Sequence, residues 1–219
     1  DGLFRYVNIS GFSLVAGTSV AANAPVALSE IDQEQVLRTP SGIPALDRVL
    51  GGGVVAGGAV LLAGEPGIGK STLLLQLAAR LAGLERKVLY ASAEESPRQL
   101  RLRAERLGCA SSDVLVVGET RLESVLDAAR SAEPAALLVD SIQAIASDEL
   151  ESPPGSIGQV RHCANRLVDF AKRSESTLFL VAPLVSRRRE RVSRHEPVLL
   201  LPSELRREAL VGLDLRDRI

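Results

Sequence analysis

An α/β fold with a mostly parallel sheet and helices on both faces is predicted by three features of this 219-residue chain. Short, almost wholly apolar runs recur from Ala59 to Val181, as strands covered on both faces require. Amphipathic stretches of helical period separate them, which parallel strands need for their crossovers. Aromatic residues make up only 3% of the chain and Trp is absent, so the core must be built from Leu, Val, Ile and Ala.

The elements are taken in chain order. Residues 1–37 read as an irregular arm, rich in small and polar residues and without a sustained period. Thr39-Pro40-Ser41-Gly42 is a turn, with Ser41 placed to cap the next helix. Ile43, Leu46, Val49 and Leu50 then fall at helical spacing. Gly51-Gly52-Gly53 stops that helix, because glycines take left-handed conformations without a Cβ clash. Ala59 to Ala63 is a strand, and Gly69 to Leu81 a helix with Leu73, Leu77 and Leu81 on one stripe and Leu74 beside it. Strands over 87–92, 113–117, 135–139 and 177–181 alternate with helices over 97–107, 122–132 and 157–173. The last helix shows Val160, Ala164, Leu167, Val168 and Ala171 as its apolar face. Leu100, Ala104 and Leu107 face inward on the helix from Pro97, and Arg98, Arg101, Arg103 and Arg106 face water. Beyond Ala182 the alternation fails. Residues 38–183 are therefore expected to be the folded core and 184–219 a divergent basic tail, with a weak helix over 203–211.

Bulk composition narrows the function classes. The net charge of −1 neither favours nor excludes a nucleic-acid partner. No apolar run is long enough to span a bilayer, and the segment from Ile9 to Ala27 lacks the form of a secretory signal. A cytoplasmic protein is expected. The two cysteines, Cys109 and Cys163, form no Cys-x-x-Cys pair, so no zinc ribbon can be built from this chain alone. Two free thiols are expected. The absence of Met marks the chain as a processed product or a fragment.

The chemistry concentrates at one spacing. Gly64-Glu65-Pro66-Gly67-Ile68-Gly69-Lys70-Ser71 fits G-x-x-x-x-G-K-S, between an apolar strand and a helix. Glycines let backbone amides curl around a β-phosphate, and the helix beginning near Gly69 directs its positive end at the anion. Lys70 reaches the β- and γ-phosphates, the Ser71 hydroxyl ligates Mg²⁺, and Thr72 completes the nucleotide-binding set. A glycine-rich turn that happens to contain Lys-Ser is the bland alternative; the strand and helix on either side argue against it. ATP and Mg²⁺ are thus the expected ligands.

Two further strands end in acids. Ala136 to Val139 runs into Asp140, which at the carboxyl edge of a parallel sheet would stand beside the phosphate loop and hold the Mg²⁺ shell. Its bland alternative is a helix N-cap. Leu89 to Ser92 runs into Glu94 and Glu95, one of which can orient and deprotonate a water. Glu94 lies nearer the strand end and Glu95 is the alternative. One of the two is expected only to favour the next helix through its dipole.

At this point the wording of the motifs resembles a family. Thr39 to Val54, Gly64 to Gln76, Tyr90 to Ser96, Asp140 to Gln143 and Pro154 to Arg173 occur in the order and form of RadA/Sms, bacterial DNA-repair relatives of RecA. The likeness spans roughly residues 26–182. It implies a RecA-like P-loop ATPase core, a homo-oligomeric ring, single-stranded DNA as partner, and branch migration in recombinational repair. It also implies that Lys70 and Ser71 serve nucleotide and Mg²⁺, that Glu94 activates water and that Asp140 is the strand-end acid. Gln143 would couple the γ-phosphate to a DNA-facing loop near Ser147 to Gly158.

The chain departs from that pattern in places. The family's four-cysteine motif is absent, and Ala182-Pro183 followed by Ser186-Arg187-Arg188-Arg189 stands where the family has Gly-His and a Lys-containing loop. Its Lys-Asn-Arg-Phe-Gly motif and protease-like domain are absent too. ATP binding is expected to survive such changes more readily than DNA-coupled hydrolysis. A nucleotide-binding module without turnover, or a KaiC-like signalling ATPase, are the rival readings. Arg187, Arg188, Arg189, Arg191 and Arg194 read as a solvated tail rather than a DNA contact. His162 beside Cys163 points away from it on a helix, and His195 is isolated, so neither histidine receives a catalytic role.

Overall fold

The computed structural model describes residues 38–84 and 86–183. The expectations for the arm, the arginine run, His195 and the weak helix over 203–211 lie outside the described residues. Within them, each expected strand and helix forms, with ends displaced by a residue or two. The order is β1 (Arg38–Thr39), α1 (Pro44–Val49), β2 (Val54–Val55), β3 (Ala59–Gly64), α2 (Lys70–Ala82), β4 (Val88–Ser92), α3 (Pro97–Arg106), β5 (Val114–Val117), α4 (Leu122–Ala132), β6 (Ala136–Asp140), α5 (Ile157–Ser174) and β7 (Thr177–Pro183). A 3-10 turn at Ile142–Ala144 comes after β6.

Five strands form one parallel sheet in the order β3-β7-β6-β4-β5. Their side chains alternate between two apolar layers. Val60, Val88, Tyr90, Leu138 and Phe179 pack with α2 and α3 on one face. Leu89, Ala91, Leu137, Val139, Leu178 and Leu180 pack with α4 and α5 on the other. This two-sided burial explains the unbroken apolar runs. β5 is the exception: Leu115 and Val116 are both more than a third exposed, as befits a strand with only one neighbour.

Three local expectations are corrected. Ser41 does not cap α1, whose N-cap is Ile43 without a side-chain bond. Its hydroxyl instead accepts the Ile43 N–H at 3.2 Å, and its own N–H donates to Asp47 Oδ1 at 2.7 Å. The proline at the start of α1 supplies the fixed φ that makes a cap less necessary. On α2 the buried stripe is Leu74, Leu75, Leu77, Ala78 and Leu81, while Leu73 is only partly covered. On α5, Gln159 and Cys163 are buried, and Val160 and Ala164 lie at the margin. The short antiparallel pairing of β1 with β2, which encloses α1, carries no signal in the sequence pattern. Gly53 at φ +141 permits it, since a Cβ there would clash with the Thr39 carbonyl oxygen.

Candidate nucleotide site

The phosphate-type loop joins β3 to α2. Gly67 and Gly69 adopt φ of +80 and +96, the left-handed region that L side chains avoid. An added Cβ at either would meet nothing within 4 Å, so backbone conformation alone demands glycine there. Gly69 is the N-cap of the 13-residue α2 and offers no side chain to the first-turn amides, so those donors remain for an anion. The Lys70 ammonium donates to the carbonyl oxygens of Gly64 and Glu65, both at 2.8 Å. It lies folded along the loop that a phosphate chain would enter. Ser71 and Thr72 come next in the first turn of α2, half-buried.

Because the sheet is parallel, the carboxyl ends of β3, β7, β6 and β4 share one edge. β7 alone separates β3 from β6, so the two ends lie about two strand spacings, ~10 Å, apart. Asp140 closes β6, and its Oδ2 accepts the Tyr90 hydroxyl at 2.7 Å. Both side chains are buried. Burial, and then the neighbouring Asp140 carboxylate, push the Tyr90 phenol far above its ordinary pKa, so it stays a donor. The Asp140–Ser141 peptide is cis.

The two acids after β4 have different surroundings. Glu94 is exposed, and its Oε1 accepts the Ser141 hydroxyl at 2.5 Å and the Gln143 amide at 3.4 Å. Glu95 is ion-paired to Arg103, while its backbone carbonyl accepts the Ser92 hydroxyl at 2.7 Å. Ser96 and Gln99 form a reciprocal capping box at the start of α3. Glu95 therefore belongs to the local packing of α3, and Glu94 is the acid turned toward β6. Arg103, expected on the solvent face, is half-buried by this pairing.

A second loop, 145–156, leaves the same edge. Gln159, 1% exposed, organises it from α5. Its Oε1 accepts the Ser147 N–H at 3.0 Å, and its Nε2 lies 2.9 to 3.1 Å from the carbonyls of Ser147, Leu150 and Ser152. The Ser147 hydroxyl donates to Glu123 at 2.7 Å. Burial alone would raise the Glu123 carboxyl, but hydrogen bonds from the Ser147 hydroxyl and nearby amides outweigh it and hold the group below its ordinary value. On the tip, Asp148 pairs with Arg121 and Glu149 with Arg166. Burial, followed by the Glu123 carboxylate, pushes the Cys163 thiol up to about 11, which suits a core residue and not a nucleophile.

The structure thus brings Asp140, Glu94 and Gln143 to the edge that carries Gly64 to Thr72. Sequence reasoning missed Tyr90, Ser141 and Gln159. A signal existed for the last: Gln159 stands in the stripe 159-163-167-171, the single polar amide on a helix face otherwise closed to water. Among the described residues, no group of three His, Cys, Asp or Glu could hold a metal ion, and no helix is long and apolar enough to cross a membrane.

A family model described as an AAA domain matches residues 25–182. The chain belongs to this AAA-domain family. Within it, the core is similar to DNA repair protein RadA of Halalkalibacterium halodurans, at 43% identity over 168 residues, which is 77% of this chain and 36% of that protein. The RadA proteins of Bacillus subtilis and Aquifex aeolicus are 43% and 44% identical over 74% and 72% of this chain, each aligned over 35% of its own length. This AAA domain therefore spans about a third of the length of the curated relatives it matches. A KaiC-like protein of Pyrococcus horikoshii superimposes with a TM-score of 0.57 at 23% identity, over 68% of this chain and 71% of that one. That likeness concerns the fold alone. The RecA-like α/β core expected from the sequence is the fold observed.

Proposed function

We propose that this AAA domain binds Mg·ATP and hydrolyses it in the service of DNA repair. The observation that carries the reading is the shared edge: the glycine loop with Lys70 at the end of β3, and Glu94 held toward the end of β6 by Ser141 and Gln143. The loop amides and Lys70 bind the phosphates, and Lys70 balances charge on the γ-phosphoryl. Glu94 orients a water and takes its proton as the water oxygen attacks phosphorus and ADP departs. The donor chemistry fits Mg²⁺: the Ser71 hydroxyl and the Asp140 carboxylate are hard oxygen ligands, too few for a protein cage and suited to a metal shared with nucleotide phosphates. Bound there, the ion would draw charge from the phosphate oxygens.

Coupling to DNA has a candidate path. Gln143 contacts Glu94 and lies in the 3-10 turn that leads into the 145–156 loop. Single-stranded DNA, a homo-oligomeric ring and branch migration are carried over from the RadA resemblance and belong to this proposal. A second reading, nucleotide binding without DNA-coupled turnover, rests on Ala182-Pro183 standing where the RadA resemblance has Gly-His. ATP turnover measured with and without single-stranded DNA separates the two. Stimulation by DNA that Lys70→Ala abolishes supports the first. Tight binding without phosphate release supports the second, and absence of binding ends both.

A further inference from the structure

The geometry points to Tyr90 as a positioning residue for the metal site, one that fixes the Asp140 carboxylate and so selects the oxygen offered to the Mg²⁺ shell. This rests on the nucleotide-binding reading and deepens it. Asp140 is buried, and among the described residues no Lys, Arg or His pairs with it. The Tyr90 hydroxyl is the side-chain donor that reaches it, at 2.7 Å. One neutral hydrogen bond is poor compensation for a carboxylate removed from water. A carboxylate so placed is completed by a cation arriving from outside the chain, here with the nucleotide.

The sheet sets the mechanics. Tyr90 pairs in register with Leu138, and Asp140 with Ser92, so the phenol reaches diagonally across two adjacent strands. Its ring is locked in the apolar layer under α2 and α3. A rigid donor on Oδ2 stops the carboxylate from turning about its terminal torsion and leaves Oδ1 without a side-chain donor among the described residues. The ordinary alternative is a core tyrosine whose hydroxyl merely found a partner. That alternative predicts a change in stability on losing the hydroxyl, and no change in metal dependence.

The chain contains no Trp and only two tyrosines, Tyr6 and Tyr90, which supplies a native reporter. In a Tyr6→Phe variant all tyrosine emission comes from Tyr90. A phenol bonded to a carboxylate is quenched, because the excited phenol is a stronger acid. Mg²⁺ drawn to Asp140 weakens that acceptor. Titrating Mg²⁺ into this variant with ADP present is therefore expected to raise the emission, with the same midpoint as nucleotide binding. In Tyr90→Phe, which keeps the ring, the Mg²⁺ concentration for half-maximal nucleotide binding is expected to rise about tenfold, with nucleotide affinity in EDTA unchanged. Emission that stays flat while Mg·ADP binds overturns the proposal, as does a Tyr90→Phe Mg²⁺ curve that overlays that of the unaltered protein. The emission test leaves Tyr90 in place, so it stands even where Tyr90→Phe folds poorly. Failure of the unaltered protein to bind nucleotide at all is a different result: it defeats the phosphate-loop reading, and this proposal with it.

Discussion

The two loops that leave the carboxyl edge of the sheet are built by opposite means. The loop 65–69 relies on main-chain conformation: two left-handed glycines shape it, and one side chain, Lys70, bridges its carbonyls. The loop 145–156 relies on a remote side chain: Gln159, twelve residues from Ser147, satisfies that residue's N–H and lies against three carbonyls. The first leaves its amides available, as an anion site must. The second has the backbone of Ser147, Leu150 and Ser152 engaged by Gln159. The difference separates a loop shaped by its own backbone dihedrals from one shaped by a side chain on a distant helix.

Substitutions can break that distinction. Lys70→Ala is expected to have the largest effect, lowering nucleotide affinity and turnover by about a thousandfold while leaving thermal stability near its starting value. Calorimetric titration with Mg·ATP beside a melting curve reads both. Glu94→Gln is expected to reduce turnover about a hundredfold or more and to spare binding, since only the proton acceptor is lost. Single-turnover phosphate release is the check, and unchanged turnover would remove Glu94 from its role. Gln159→Leu should invert the pattern. It strands the Ser147 N–H and loop carbonyls, costing about 3 kcal/mol in a urea titration, with nucleotide affinity retained. Loss of affinity with intact stability would erase the proposed contrast.

Two smaller effects sharpen it. Gly69→Ala meets no atom within 4 Å, so its cost is the left-handed backbone alone, about 1–2 kcal/mol, together with weakened nucleotide binding. A melting curve beside a nucleotide titration reads both. Glu123→Gln tests the second loop by pH. The folded Glu123 carboxyl is held below its ordinary value of 4.5. Its stabilisation is therefore complete above that value and is lost as pH falls through the lower, folded one. The variant should flatten the acid limb of the stability profile by less than about 1 kcal/mol, measured by denaturant unfolding at a series of acid pH values.

The order of strands and helices was legible because both depend on local period. So was the strand–loop–helix placing of residues 64–71, since its glycines, lysine and serine lie within eight consecutive residues. The partners of Glu94 and Glu95 were not. They are Ser141 after β6 and Arg103 on α3, residues 47 and 8 positions away. The capping role given to Ser41 failed for a similar reason: its buried hydroxyl and N–H both found partners within the turn and α1, leaving the helix start to Pro44.

By itself, the sequence determined what each short stretch can do: which runs become strands, where the chain must be glycine, and which loop joins β3 to α2. Those outcomes depend on dihedral preferences and on apolar period, properties of neighbours along the chain. Tertiary structure decided which partner each acid meets. Placing β7 between β3 and β6, and β4 against β6, set Asp140 over Tyr90 and Glu94 over Ser141. A hydrogen bond acts over about 3 Å of space, whatever the separation in sequence, so only the folded sheet could assign those partners.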